Sequence, residues 1–200
     1  MIKRFDDYEQ TQAYGSFEQL PKGGYIMKIL EAKIENKGYG DYIMISGDVE
    51  GGEYHHYFAK NYKAQQAEDK KWRGNYLLNI PTDDGSEQDG WTKRRFKTFT
   101  EALEDSNPGY HFDWDEQKFK GKLIGGLFNA REYEKNDGTT AWATNWGGVC
   151  DIGKIKDGSF VLPKDRELKN KRPAASAPIQ ADSNRFMSIP DGIDEEMPFK

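Results

Sequence analysis

Aromatic and basic residues alternate in several short segments of this chain. The segments are YFAKNYK at 57–63, KKWR at 70–73, KRRFK at 93–97 and AREYEK at 130–135. Aromatic rings stack on unpaired nucleobases and nearby Lys and Arg side chains contact phosphates, so this pattern is typical of a surface that holds a single nucleic-acid strand. The candidate contact residues are Tyr57, Lys60, Tyr62, Lys63, Trp72, Arg73, Arg94, Arg95, Arg131, Tyr133 and Trp142.

A second chemistry is suggested by HFDWD at residues 111–115. On a strand, His111, Asp113 and Asp115 would share one face and could hold a metal ion for nuclease chemistry. The segment directly follows the turn residues Asn107-Pro108-Gly109, however, which favours a solvated loop. A metal-dependent nuclease is therefore kept as an alternative to a passive binder.

Other catalytic motifs are not recognisable in the sequence. His55 and His56 are adjacent on a predicted strand, so they would point to opposite faces and could not bind one ion together. The sequence has neither a phosphate-binding glycine loop nor a Ser-His-Asp arrangement in its usual local context. A non-catalytic protein without a cofactor or a metal ion is the expectation.

The formal net charge of −5 argues at first against a nucleic-acid partner. The distribution of the charge weakens this objection, because residues 173–200 hold five acidic and two basic side chains. The rest of the chain is closer to neutral and contains the basic clusters.

The composition favours a cytoplasmic protein. A length of 200 residues suits one domain with an appendage. No run of about 18 apolar residues could span a membrane, and the N-terminal residues lack the apolar region of a secretory signal. The single Cys150 is expected to be buried as a small apolar side chain.

Alternating apolar residues and turn signals predict five strands. They are expected at 25–37, in two short stretches of 42–59 separated by Glu50-Gly51-Gly52, at 122–134 and at 139–145. In the first half of the first strand, apolar residues occupy both parities, which predicts that this half is covered on both faces, as in a curved barrel.

One amphipathic helix is predicted between the third and fourth strands. Phe96, Phe99 and Leu103 have helical spacing, and the helix would begin near Thr92 and end before residues 107–109. Basic residues 93–95 would then lie at the helix start, where they oppose the macrodipole, so an anion facing them is one explanation. Unselected surface charge explains the same order equally well.

The order of elements predicts an all-β dominated fold, namely the OB-fold, a five-stranded Greek-key barrel with one helix between strands 3 and 4. The predicted organisation is an N-terminal extension at 1–20, an OB-fold domain at 21–165 with an insertion at about 60–118, a flexible linker at 166–188 and an acidic interaction tip at 189–200. The linker and tip together form a C-terminal tail that is expected to be disordered, because its composition is polar and rich in Pro and Ala.

The segments FEQLPKGGYIMKI and YIMISGDVEGGEYHHYFAKNY resemble the opening of single-stranded DNA-binding proteins carried by phages and mobile elements of Gram-positive-type bacteria. The end of the chain resembles the acidic C-terminal tip of bacterial single-stranded DNA-binding proteins. The residues that carry this second resemblance are Asp194, Glu195, Glu196, Pro198 and Phe199.

The resemblance implies an OB-fold protein that coats single-stranded DNA during DNA replication or recombination. It also implies that the tip recruits replication or recombination proteins, and it leaves the oligomeric state open, a homo-oligomer included. A protein-only adaptor that binds a peptide in the OB cleft is a further alternative.

Overall fold

The computed structural model describes residues 18–36, 38, 40–66, 68–135 and 137–168, with residues 3, 6 and 8. The chain is mostly β, with five strands and three helices in this part. The elements are β1 Gly23–Asn36, β2 Asp41–Val49, α1 Tyr57–Ala64, β3 Asn75–Asn79, α2 Glu87–Ser106, a 3₁₀ turn Glu116–Phe119, β4 Leu123–Glu134, β5 Thr140–Cys150 and α3 Ile152–Asp157. The predicted tip residues 194, 195, 196, 198 and 199 lie outside the described residues.

All five strands belong to one antiparallel sheet with the order β3-β2-β1-β4-β5. β1 is central and pairs with β2 on one side and β4 on the other. The edge strands β3 and β5 approach each other through Tyr76 and Trp146, whose ring centroids are 5.5 Å apart, although no ladder joins these two strands within the described residues. The sheet is therefore strongly curved.

A hydrophobic core fills the concave side of this sheet beneath α2. Phe99 and Leu103 of α2 are fully buried, and the Phe99 ring lies 6.0 Å from Tyr76 and 5.4 Å from Phe119 of the 3₁₀ turn. Burial of these large apolar side chains is the main stabilising contribution to the domain. Cys150 is buried too, as predicted.

β1 contains a β-bulge, so its buried side chains do not follow the alternation that the sequence predicts. The register with β2 shifts between Ile29 and Glu31, so the buried parity changes from Met27 and Ile29 to Ala32. Leu30, which a regular alternation would group with Ala32, is exposed. A bulge inserts one residue and reverses the facing of every residue after it.

The predicted third strand is wrong. Residues 53–56 form a turn and residues 57–64 form α1, while the third strand is Asn75–Asn79, inside the predicted insertion. His55 and His56 are consequently not on opposite faces of a strand. Their rings stack at a centroid distance of 3.7 Å.

The predicted helix exists but begins earlier than Thr92. Ser86 is its N-cap, with the side chain accepting a hydrogen bond from the Asp89 backbone N–H. Glu87 and Asp89 occupy the first turn, where negative charge suits the macrodipole. Residues 93–95 therefore lie mid-helix, and the prediction that basic charge gathers at the helix start is wrong.

The other predicted strands are present. β4 begins at Leu123, close to the expected 122, and β5 runs to Cys150, past the expected end at 145. Residues 164–168 continue the sheet along β4, since the backbone N–H of Arg166 donates to Ala130 O at 2.9 Å and that of Glu132 donates to Arg166 O at 2.8 Å. This segment spans the predicted boundary at residue 166.

No helix within the described ranges is both long and apolar enough to cross a membrane.

Candidate nucleic-acid interface

A cavity of about 350 Å³ lies between α1, the β4–β5 hairpin and the segment that precedes β1. Four of the eleven predicted contact residues line it, namely Tyr57, Arg73, Tyr133 and Trp142. We call this cavity the cleft, and Leu20, Asn61 and Thr144 complete its wall. The fold thus brings together residues from four separate stretches of the chain.

α1 carries Tyr57 into the cleft because Asp48 holds the start of the helix. The buried Asp48 carboxylate accepts hydrogen bonds from the backbone N–H groups of Phe58 at 2.8 Å and Ala59 at 3.1 Å. These N–H groups have no partner within a helix, and a carboxylate there also suits the helix dipole. The sequence prediction missed this cap because Asp48 belongs to β2, ten residues before Phe58.

Tyr57 forms a fixed wall of the cleft. Its hydroxyl donates to the Glu18 carbonyl and accepts from the Leu20 backbone N–H, both at 2.9 Å. Burial raises the pKa of this phenol, which the Leu20 N–H and the nearby Arg73 charge partly oppose, so the ring stays neutral at physiological pH.

Tyr133 and Trp142 form the open rim of the cleft. They lie on the two strands of the β4–β5 hairpin, and their side chains are 43% and 46% exposed. The Thr144 hydroxyl donates to the Leu20 carbonyl, and Gln19 Nε2 donates to the Trp142 carbonyl at 3.4 Å. The hairpin is therefore tied to the segment before β1 while both rings remain accessible.

Arg73 brings a positive charge to the same cavity. It directly precedes Gly74, where a Cβ would lie 2.4 Å from the Gly47 carbonyl oxygen and 2.7 Å from the Phe58 ring. Only glycine permits this close approach, which fixes the backbone beside Arg73. Arg73 forms no ion pair with any described residue, so its charge is available to an anion.

The remaining candidates of the KKWR and YFAKNYK segments lie beside the cleft. The Trp72 and Tyr62 ring centroids are 6.0 Å apart, and Trp72 is half-buried against Phe58, with its Nε1–H donating to Gly74 O at 3.3 Å. Trp72 therefore packs against Phe58, which lines the cleft, and supports the cleft wall from its inner side. Lys60 and Lys63 lie on the exposed side of α1.

Arg94, Arg95 and Arg131 do not line the cleft. Arg131 is exposed on β4, two residues before Tyr133. Arg94 lies over the Trp91 ring, and Arg95 donates from Nε to the Tyr76 hydroxyl at 3.0 Å.

A second aromatic cavity, about 720 Å³ in volume, was missed by the sequence prediction. We call it the Trp114 groove, and its walls include Ile34, Ile80, Pro81, Phe96, Lys97, Phe112 and Trp114. Trp114 is 81% exposed, adopts a left-handed backbone conformation with φ of 67°, and stacks on Phe96 at 6.2 Å. These residues are far apart in sequence, so no local pattern could have grouped them.

The cations of the Trp114 groove are paired with acids. Lys93 forms ion pairs with Asp83 and, at 3.0 Å, with the buried Asp89, while Lys97 pairs with Glu101 at 3.5 Å. Hydrogen bonds that the Lys93 ammonium donates to the Asp83 and Asp89 carboxylates raise the pKa of Lys93. The groove is thus apolar with a neutralised rim.

The predicted metal-binding segment is a loop, as favoured. Lys118 pairs with Asp113, and Asp115 Oδ1 accepts from the Gln117 backbone N–H at 3.1 Å. His111 Nδ1 lies 3.9 Å from Glu104. Across the ranges the structure covers, no three His, Cys, Asp or Glu side chains are arranged to hold a metal ion.

No protein-family model and no curated protein matches this chain. Its function must therefore be argued from its own residues.

Proposed function

We propose that the protein is a non-catalytic single-stranded DNA-binding protein that coats DNA without sequence preference. The observation that carries the proposal is that three predicted contact residues line one cavity, namely the exposed Tyr133 and Trp142 and Arg73, which forms no ion pair with a described residue. Exposed rings supply stacking platforms for bases, and a cation without an acidic partner supplies a phosphate contact. Neither contact reads base identity.

We further infer that the curved sheet is an OB-type barrel. The strand order β3-β2-β1-β4-β5, the position of α2 between β3 and β4, and the approach of Tyr76 to Trp146 all support this assignment. In OB-folds, single strands bind across one side of the barrel and between its loops. The cleft, which is formed by the β2–β3 connection and the β4–β5 hairpin, has this position.

We propose that binding begins with electrostatic capture and continues with stacking. The cations beside the cleft, Lys60, Lys63 and Arg73, would attract the strand, and Trp142 and Tyr133 would then stack on bases. The acidic tip at 189–200 would compete with DNA at low salt and recruit replication or recombination proteins. A role in the DNA metabolism of a phage or mobile element follows from the sequence resemblance alone.

A fluorescence-polarisation titration with labelled oligo-dT tests the proposal. Wild-type protein is expected to bind, and Trp142→Ala is expected to weaken binding by about 1–3 kcal/mol without lowering the melting temperature. Trp114→Ala is the control, because it removes an even more exposed indole that lies outside the cleft. The absence of wild-type binding at low salt, or equal losses in both variants, would contradict the proposal.

A further inference from the structure

Trp91 is an exposed indole with two arginines beside it. It lies in the first half of α2 and is 61% exposed, and the Arg94 guanidinium carbon is 4.6 Å from its ring centroid. Arg94 is held there by a hydrogen bond from its Nε to the Gly90 carbonyl at 3.3 Å. Arg94 covers one face of the Trp91 indole. Because 61% of the residue is exposed, the opposite face of the ring is mainly open to solvent.

Arg95 belongs to the same helix face, since it follows Trp91 by four residues. Its guanidinium carbon is 5.0 Å from the Tyr76 ring centroid, and its Nε donates to the Tyr76 hydroxyl at 3.0 Å. Its position is therefore fixed by a buried residue of β3 rather than by an acid.

Neither Arg94 nor Arg95 has an acidic side chain three or four positions away on α2, and the acid of this face, Glu87, lies four positions before Trp91. The residues three and four positions away from either arginine are Gly, Trp, Thr, Lys and Phe. Neither arginine forms an ion pair with a described residue, whereas Lys93 on another face of the helix pairs with Asp83 and Asp89. Two fixed, unneutralised guanidinium groups beside an open ring suit a phosphate and a base.

This face is connected to the cleft through residues 72–76. Arg73 lies at the cleft, Asn75 Nδ2 donates to the Trp72 carbonyl at 3.0 Å, and Tyr76 holds Arg95. Three residues of extended chain cover about 10 Å, so Arg73 at the cleft and Tyr76, which holds Arg95, belong to one short segment of the chain.

We propose that Trp91, Arg94 and Arg95 form a second contact site for single-stranded DNA, which a strand reaches only after it has filled the cleft. A base stacks on the open face of Trp91, and phosphates pair with the two guanidinium groups. The inference rests on the proposed function, since it extends the same bound strand.

The test compares the affinities of a short and a long oligo-dT, of about 6 and about 16 nucleotides. Trp91→Ala is expected to bind the short oligonucleotide as tightly as wild type does and to bind the long one about 5- to 150-fold more weakly. Arg94→Gln is expected to lower the magnitude of the salt slope by about 0.7 with the long oligonucleotide alone. Lys97→Gln is the matched control and should change neither value, because the Lys97 ammonium is already paired with Glu101.

The outcomes separate this inference from the proposed function. If wild type binds neither oligonucleotide, both fail. If wild type binds both and Trp91→Ala changes neither affinity, or lowers both equally, the second site is refuted while the proposed function stands. Equal melting temperatures of wild type and Trp91→Ala are required for either interpretation, and the exposed position of Trp91 predicts them.

Discussion

The cleft and the Trp114 groove both gather aromatic side chains at the surface, but they differ in what surrounds those rings. At the cleft, Arg73 has no acidic partner among the described residues, whereas the Trp114 groove neutralises Lys93 and Lys97 with acids. Trp114 is the more exposed indole, at 81% against 46% for Trp142. Exposure alone would therefore favour the Trp114 groove, whereas the pairing state of the nearby cations favours the cleft as the proposed DNA site.

The rings also differ in their relation to the core. Phe96, below Trp114, is buried and continues through Phe112 to Phe119 in the core. Tyr133 and Trp142 instead stand on the exposed part of a hairpin. Removing a ring should therefore lower the stability of the protein at the Trp114 groove and lower the affinity for DNA at the cleft.

The largest expected effect is on stability at the groove. Phe96→Ala should lower the free energy of unfolding by about 3 kcal/mol, because it removes a buried ring and leaves a void beneath Trp114. Urea titration followed by circular dichroism measures this change. At a temperature where the variant is folded, its affinity for oligo-dT should equal that of wild type. A large loss of affinity would indicate that the groove contributes to the proposed DNA-binding site.

A smaller loss of stability is expected for Trp72→Ala, which tests whether the cleft has a structural back wall. Trp72 is half-buried against Phe58 and Tyr62, so its removal should cost about 2 kcal/mol of unfolding free energy. Thermal unfolding measures it. An unchanged melting temperature with weaker DNA binding would instead make Trp72 a stacking platform.

The charge contrast predicts different salt dependences. Arg73→Gln should lower the magnitude of the slope of log affinity against log salt by about 0.7, the value for one phosphate contact to a single strand. Lys97→Gln should leave the slope unchanged, because Lys97 is already paired with Glu101. Equal slopes for the two variants would remove the distinction between the cavities.

The smallest effect is expected on the stability of the protein at acidic pH. The hydrogen bond from Lys93 lowers the pKa of Asp89, so the ionised carboxylate is favoured in the folded protein. The stabilisation of the folded protein by ionised Asp89 is fully present above the ordinary carboxyl pKa of about 4. It is lost as the pH falls through the lower pKa that Asp89 has in the folded protein. Asp89→Asn should therefore flatten the decline of stability below about pH 4, whereas Arg73→Gln should leave its shape unaltered.

The sequence was most informative where structure is determined locally. The strand at 123–134 and the helix around Phe96, Phe99 and Leu103 follow from periodicity within each segment. The third strand was missed because Asn75–Asn79 is only five residues long and follows a charged stretch. α1 was missed because its stabilising carboxylate, Asp48, comes from a strand ten residues earlier.

The prediction of site residues also depended on whether a signal is local in the sequence or arises from the fold. Residue types alone identified Tyr57, Arg73, Tyr133 and Trp142, which the fold does bring to one cavity. They did not identify Trp91, because the proposal for this residue depends on Arg94 lying over its ring and on Arg94 and Arg95 forming no ion pair with a described residue. They also could not show that Lys93 is neutralised by the buried Asp89, a contact that depends on where α2 begins.

The burial of Cys150 has a practical consequence for studying bound DNA. Burial raises the pKa of its thiol to about 11, so little of the reactive thiolate exists at neutral pH. A cysteine introduced at an exposed position can therefore be labelled selectively, with the native thiol retained. Fluorophores placed in this way at Lys60, on α1 beside the cleft, and at Lys97, at the Trp114 groove, would show by distance rather than by affinity which of these cavities an added DNA strand approaches.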